Sequence, residues 1–585
     1  NQLPLVWEDV GWRVDWSPAV IFPSLTEDDL VYLHRLVASR ANIYDRNGQP
    51  LGVEGFLVTV GVVPQDIENE ASLLAELSRI LNMTWDDIQS LYTAPGVQPH
   101  WFVPIGDISF EDSLAEADVL SSLPGVMLQE TPIRVYPQGD LAAHIVGYLG
   151  EISQEELAAL QAQGYLEGDA IGKAGLERWG ETYLAGRRGG RLTIISPDGE
   201  LVDTIAENPA TQSRSIHSTI DIELQRAAEE ALEDHRGAVV VLDPSNGEVL
   251  AMATNPRFDP NELTPGQFDQ DAWEALAADS ARPLINRATQ GQYPTGSVFK
   301  IVTTAAGMEG AGYPAHTTIN CKGSWSGLGA GWTKYDWLRT GHGVMDFRAA
   351  IVRSCDVFFW EIGLRLNSMD SNLLPSFGRG FGLGELTGVD AIDESPGLVP
   401  DPEWKEQYFT GEGNPFWVPG DAVNLAVGQG DLLATPLQVA NMMAAIANGG
   451  ILYQPHVVMR ISGTPQEEEL VFTPSERGRL PVSEATLQVI REGLDGVTSD
   501  SGGTAYYAFE DATFTSAGKT GTAETPDEKP HAWFAGYAPV EAPQIAVAVV
   551  VENSGEGSVF AAPICRQVME TFFFGPPPPE SPEEE

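Results

Sequence analysis

The stretch QYPTGSVFK, Gln292 to Lys300, places a serine, Ser297, one helical turn before a lysine, Lys300, with no histidine nearby. Pro294 and Gly296 are start signals, and the apolar-periodic run VFKIVTTAAGMEGA that follows predicts a helix. Ser297 then sits at a helix N-terminus, where backbone N–H groups and the positive dipole end favour negative charge. Lys300, three residues on, shares its face and can take the hydroxyl proton if burial lowers the amine pKa. The N–H of Ser297 can form half of an oxyanion hole. The competing reading is an N-capping serine beside a solvated lysine. The pattern by itself does not choose, because Ser516-Ala-Gly-Lys519 repeats it.

Two further stretches carry the same kind of chemistry. In IVRSCDVFFWEIG, Ser354 and Asp356 precede an apolar run. Residues i and i+2 of a helix do not share a face, but in a short loop before one both can point inward. A helix cap is the alternative. In SAGKTGTAE, Lys519, Thr520, Gly521 and Thr522 read as a strand offering a cation, hydroxyls and a side-chain-free position. Those suit an extended peptide with a terminal carboxylate laid on a sheet edge. A phosphate-binding loop is rejected: it needs glycine where Thr513 stands, and its lysine opens a helix. The chain has only seven lysines, and two of them belong to this set.

These groups need a scaffold. At 585 residues the chain exceeds what one core supports, so at least two domains are expected. Residues 1–39 read as short strands, and Asp45-Arg-Asn-Gly48 as a hairpin turn. Helices are predicted over 66–92, 153–164 and 176–184, and an amphipathic one over 218–235 with Asp221 near its start. GAVVVLDPSNGEVLAMAT, 237–254, is a second hairpin; helix-rich sequence fills 297–445. Strands return at 514–524, 531–539 and 544–553, before a last helix at 560–573 and a disordered Pro/Glu tail, 576–585. An antiparallel sheet built from both ends of the C-terminal half, with helices inserted, follows from this order. A net charge of -50, from 33 basic and 83 acidic residues, repels phosphates and excludes nucleic acid. Three cysteines without a CxxC and nine histidines without HExxH show no metal-ligand spacing. No apolar run is long enough to span a membrane.

Taken in order, S-x-x-K, S-x-[ND] and K-T-G form a triplet that resembles the signature of penicillin-binding proteins and class A β-lactamases. LAVGQGDLLATPLQVANMMAAIANGG (425–450) and GEGSVFAAPICRQVM (555–569) also resemble class B, monofunctional penicillin-binding proteins. So do RANIYDRNGQPL, which departs at Ala41 where glycine is usual, and GLERWGETYLAGRRGG. VDWSPAVIFPSL (14–25) is similar to sequence that follows the NTF2-like domain of resistance-type members. The resemblance implies an α+β multidomain chain: 1–39 the end of an upstream domain or linker, 40–214 a pedestal, and 215–575 a β-lactamase-like transpeptidase domain. It implies a peptidoglycan D,D-transpeptidase of elongation or resistance type, acting through an acyl-serine with no cofactor and no metal. Its site residues are Ser297, Lys300, Ser354 and Asp356 for catalysis, and Lys519, Thr520, Gly521 and Thr522 for substrate. The N–H groups of Ser297 and Thr522 form the oxyanion hole. Asp356 stands where many members carry asparagine, and an ion pair with Lys300 would raise that amine's pKa. Implied partners are peptidoglycan stem peptides, β-lactams and a glycosyltransferase, at the extracytoplasmic face of a bacterial membrane, reached through an N-terminal anchor not in this chain. The rivals are a β-lactamase or D,D-carboxypeptidase and a non-enzymatic wall-assembly scaffold. The deacylating Glu-x-x-Leu-Asn of a class A β-lactamase is missing from the catalytic half, and a scaffold should have lost a motif.

Overall fold

A computed structural model describes residues 3–409, 414–525 and 529–576. The expected tail lies outside these except for Pro576. The C-terminal half is built on a five-stranded antiparallel sheet in the order Val249–Asn255, Gly237–Leu242, Ile545–Val551, His531–Ala538, Ala517–Ala523. GAVVVL and IAVAVVV are buried along their whole length. A strand without polar alternation must be covered on both faces, and helices do this. Ile222–Leu232 and Ala561–Phe574 pack together on the sheet, as do Pro436–Ala447 and Glu484–Ser499. Each fully buried Val or Ile side chain contributes roughly 1.5–3 kcal/mol, so the central strand Ile545–Val551 is a main source of stability.

The N-terminal half hangs on the 13-residue strand Pro50–Val62, which pairs with Val103–Ser109 and with Val126–Val135. Val58, Val60 and Val62 form a second core with Leu73, Leu74, Leu77 and Ile88. The Asp45–Gly48 turn is present: Asp45 Oδ1 accepts the N–H groups of Asn47 and Gln49, and Gly48 takes φ +86°. Leu30–Leu36 pairs with Gly189–Ile195, which pairs with Leu201–Asn208. The halves share a sheet, because Ile216–Ser218 pairs with Ile43–Tyr44 on one side and with Val458–Ile461 on the other.

Several predicted helices are shorter than their periodicity. The 66–92 helix is two, Glu70–Leu81 and Trp85–Tyr92, because Asn82 turns left-handed and Thr84 caps the second. The 176–184 helix breaks at Gly180 into Gly175–Trp179 and Glu181–Leu184. The helix placed at 218–235 starts at Ile222: Ser218 ends a strand, and Asp221 caps the helix by accepting the N–H groups of Glu223 and Leu224. Short strands at Ile319–Cys321, Ser324–Trp325, Lys334–Tyr335 and Gly343–Met345 interrupt the region read as helix-rich. Among the described residues, no helix is long and apolar enough to cross a membrane.

Candidate active site

Ser297 is half-buried at the start of a 3-10 turn, Gly296–Phe299, that runs into the α-helix Lys300–Ala305. Gly296 has φ +52°, and a Cβ there would fall 2.5 Å from Thr522 O and 3.0 Å from Thr522 N. The serine loop therefore lies directly against the edge strand Ala517–Ala523. Trp533 holds the loop from below, donating from Nε1 to Pro294 O at 3.0 Å.

Ser354 occupies the turn between the helices Phe347–Val352 and Asp356–Met369. It has φ +52°, a conformation that costs a non-glycine residue about 1–3 kcal/mol and recurs at functional sites. That turn brings both lysines to one hydroxyl. Lys300 Nζ donates to Ser354 Oγ at 3.2 Å, to Ser354 O at 2.8 Å and to Asp356 Oδ1 at 2.6 Å. Lys519 Nζ donates to Ser354 Oγ at 2.9 Å. Both lysines are fully buried. Burial pushes the Lys519 amine well below the ordinary lysine range; the Lys300 charge adds to this and Asp356 opposes it. The expected Lys300–Asp356 ion pair is present, and Lys300 makes no hydrogen bond to Ser297 among the described residues.

Lys519 and Gly521 fall on one face of the edge strand, Thr520 and Thr522 on the other, by strand alternation. The reading of Gly521 as an open docking position is corrected. A Cβ there would meet Thr295 O at 2.6 Å and Trp533 Cβ at 2.8 Å, so the glycine serves the close approach of the serine loop. Thr520 Oγ1 bonds Thr504 Oγ1 at 2.7 Å, and among the described residues the strand pairs only with His531–Ala538, leaving its other side for an added strand.

Four supports escaped sequence reading. Gly428 O accepts the Gly296 N–H at 2.9 Å, and Gln429 Nε2 donates to Thr522 O at 3.2 Å. The Gly-Gln-Gly segment was visible as a resemblance, but its bracing of the loop against the strand was not. Gly428 has φ +72°, and a Cβ on it would lie 2.0 Å from Gly296 O. Gly428→Ala is expected to cost roughly 2–4 kcal/mol of stability, from left-handed strain and overpacking, and to slow acylation of Ser297. A thermal midpoint and acylation rate equal to wild type would show that the brace is dispensable. Thr504 had no signal. Nor did Asp336, whose Oδ2 accepts the N–H groups of Asp356 at 2.9 Å and Val357 at 3.4 Å. Burial works against the Asp336 charge, but the His342 contact and the N–H groups of Leu338 and Val357 hold its pKa down at about 2.

Asp336 also belongs to a spatial group that the linear spacing does not show. Cys321 Sγ, an Asp336 oxygen and Cys355 Sγ lie within 4.8 Å of one another, all buried, and His342 Nε2 is 3.0 Å from Asp336 Oδ1. Two thiols and a carboxylate are zinc-type donors, and His342 bonds the carboxylate. These are the residues that can hold a metal, and they sit immediately behind Ser354 and Asp356. No linear motif announces them, because each comes from a different turn of the 319–355 segment.

Residues 237–570 match the family described as penicillin binding protein transpeptidase domain, and residues 35–218 match the penicillin-binding protein dimerisation domain. Peptidoglycan D,D-transpeptidase MrdA of Haemophilus influenzae is 33% identical, over 92% of this chain and 84% of that protein. The Escherichia coli K12 protein of the same name is 29% identical, over 95% and 89%. Among solved structures, a complex between penicillin-binding protein PBP2 and MreC from Helicobacter pylori aligns with TM-score 0.74 at 28% identity, over 93% of this chain and 100% of that one. Pseudomonas aeruginosa PBP2 in complex with WCK 5153 aligns with TM-score 0.71 at 29% identity, over 95% and 100%.

Proposed function

Because the chain belongs to the class B penicillin-binding proteins, peptidoglycan D,D-transpeptidases with a dimerisation domain, we propose that Ser297 is its nucleophile and that Lys300, Ser354, Asp356 and Lys519 are its proton and charge network. The observation that carries this is the convergence of Lys300 and Lys519 on Ser354 Oγ, beside a serine turn pressed against the edge strand. Ser297 Oγ attacks the carbonyl carbon between the last two D-alanines of a stem peptide. An O–C bond forms, and the developing oxyanion takes the N–H groups of Ser297 and Thr522. Lys300 takes the serine proton as the neutral amine, which donates only two hydrogen bonds, to Ser354 O and Asp356, and keeps a lone pair for it. Ser354, bridging the two amines, delivers a proton to the departing D-alanine nitrogen as the C–N bond breaks. Asp356 holds Lys300 in place. Thr520 and Thr522, which share one face of the edge strand, receive the terminal carboxylate, while Lys519 on the other face holds Ser354. The amine of a neighbouring stem then attacks the ester carbonyl, forms the crosslink and returns the proton to Ser297. β-Lactams acylate the same oxygen.

We divide the chain into a pedestal, 40–214, and a catalytic domain, 215–575, a reading supported by the matched ranges 35–218 and 237–570. The relatives' assemblies, with MreC and in a peptidoglycan synthase complex, support a wall-synthesis partner here, a glycosyltransferase among them. They also support an extracytoplasmic location.

The test is intact mass of the purified chain over time with a penicillin. A stable single adduct on Ser297 is expected. Rapid turnover of the adduct would instead make the chain a β-lactamase, and a lasting adduct on another residue would move the nucleophile.

A further inference from the structure

The terminal carboxylate of the substrate is negative, and the residues proposed to receive it carry no charge. Thr520 and Thr522 offer hydroxyls only. Lys519 lies on the opposite face of the edge strand and holds Ser354 Oγ at 2.9 Å, and burial pushes its amine well below the ordinary lysine range. A carboxylate drawn from water into a groove is costly unless a cation pairs with it. Repulsion from a chain of net charge -50 adds to that cost.

The segment that leads to Ser354 has the opposite sign. Residues 322–353 hold five basic residues, Lys322, Lys334, Arg339, Arg348 and Arg353, against two acidic ones. Both acids are committed inward. Asp336 is fully buried, and Asp346 caps the helix Phe347–Val352 by accepting the Ala349 N–H at 2.8 Å. Arg353 immediately precedes Ser354. Its carbonyl accepts Trp337 Nε1 at 3.1 Å, which fixes the backbone. Its side chain is exposed and makes no ion pair among the described residues. Asp500, the acid of the facing loop, is taken by Arg348 at 3.0 Å.

The Arg353 side chain spans two parts of the site. It starts at the Ser354 turn and ends on Gly502, where a Cβ would fall 2.0 Å from its Cζ, 2.1 Å from Nη1 and 2.2 Å from Nη2. Gly502 is not among the residues of positive φ, so the glycine provides space rather than backbone freedom. Two residues on, Thr504 Oγ1 bonds Thr520 Oγ1 at 2.7 Å. The loop on which the guanidinium rests is therefore the loop that holds a hydroxyl proposed for the carboxylate.

We propose that Arg353 is a specificity residue of the transpeptidase site, its guanidinium pairing with the terminal carboxylate received by Thr520 and Thr522. The proposal rests on the transpeptidase reading, which makes a peptide with a free C-terminus the substrate. The planar guanidinium fork matches a carboxylate with two parallel N–H···O bonds. Being exposed and unpaired, Arg353 gives up no ion pair when it turns to the ligand.

The experiment compares acylation of the full chain by a penicillin and by the methyl ester of the same penicillin, followed by intact mass over time. With the free acid, Arg353→Gln is expected to lower the second-order acylation rate about tenfold or more, Arg353→Glu to lower it further, and Arg353→Lys to restore part of it. With the ester, wild type and the three variants should react alike. Added salt should slow wild type on the free acid more than it slows Arg353→Gln. The position is exposed, so the melting temperature should not move. An Arg353→Gln rate within about threefold of wild type on the free acid, or an equal fold loss on acid and ester, overturns the proposal. If the ester reacts with none of the proteins, the order of rates on the free acid decides: Lys above Gln above Glu supports the pairing, and any other order overturns it. A wild-type chain that neither compound acylates would overturn the catalytic reading instead.

Discussion

Ser297→Ala abolishes covalent labelling by penicillin, lowering acylation by at least about 10⁴-fold, while the chain remains folded. The size follows from the reaction: without Oγ no acyl bond can form, and no other hydroxyl stands in the same turn. The fold survives because the change removes one half-buried oxygen and keeps the backbone N–H proposed for the oxyanion. The braces Gly296 N to Gly428 O and Trp533 Nε1 to Pro294 O do not involve the side chain. Intact mass after exposure to penicillin, with a thermal melt as control, is the measurement. An adduct of wild-type yield on this variant would reject Ser297 as nucleophile.

Lys300→Met is the second large effect. Acylation is expected to fall about 10³- to 10⁴-fold, the range for losing a general base together with a positioned charge. Stability is expected to fall by roughly 1–3 kcal/mol, because Asp356 loses a partner at 2.6 Å and Ser354 O loses one at 2.8 Å. The residual activity carries a signature. The Lys300 charge helps push the Lys519 amine down, and Asp356 opposes it. With Lys300 gone, Lys519 holds its proton to higher pH. What acylation remains through Lys519 should therefore rise with pH. Stopped-flow acylation across pH reads both effects. A rate within tenfold of wild type would take the base role away from Lys300.

The three chemical stretches were legible because each is contiguous. A serine and lysine one helical turn apart, a serine before an apolar helix, and Lys-Thr-Gly on a strand declare their chemistry through residue type and local period. The fully buried strands Gly237–Leu242 and Ile545–Val551 were legible for the same reason: unbroken β-branched runs can only be interior. Helix lengths were not. Asn82 and Gly180 end helices that the apolar period would continue, since a periodic pattern records which face is buried and not where the backbone turns. Gly521 was misread because what a missing side chain makes room for depends on what packs against it, here Thr295.

By itself the sequence determined the class of protein and its sheet, and it named the serine proposed as nucleophile. Those depend on side-chain chemistry and on neighbours within a few residues. Only the tertiary structure decided that Lys300 pairs with Asp356, that Ser354 bridges two amines, and that Asp336 anchors the loop carrying them. It alone joined Cys321, Asp336 and Cys355, and laid the Arg353 guanidinium on Gly502. The physical reason is range. A hydrogen bond is decided within about 3 Å, and residues far apart in sequence come that close only after the cores beneath them have packed.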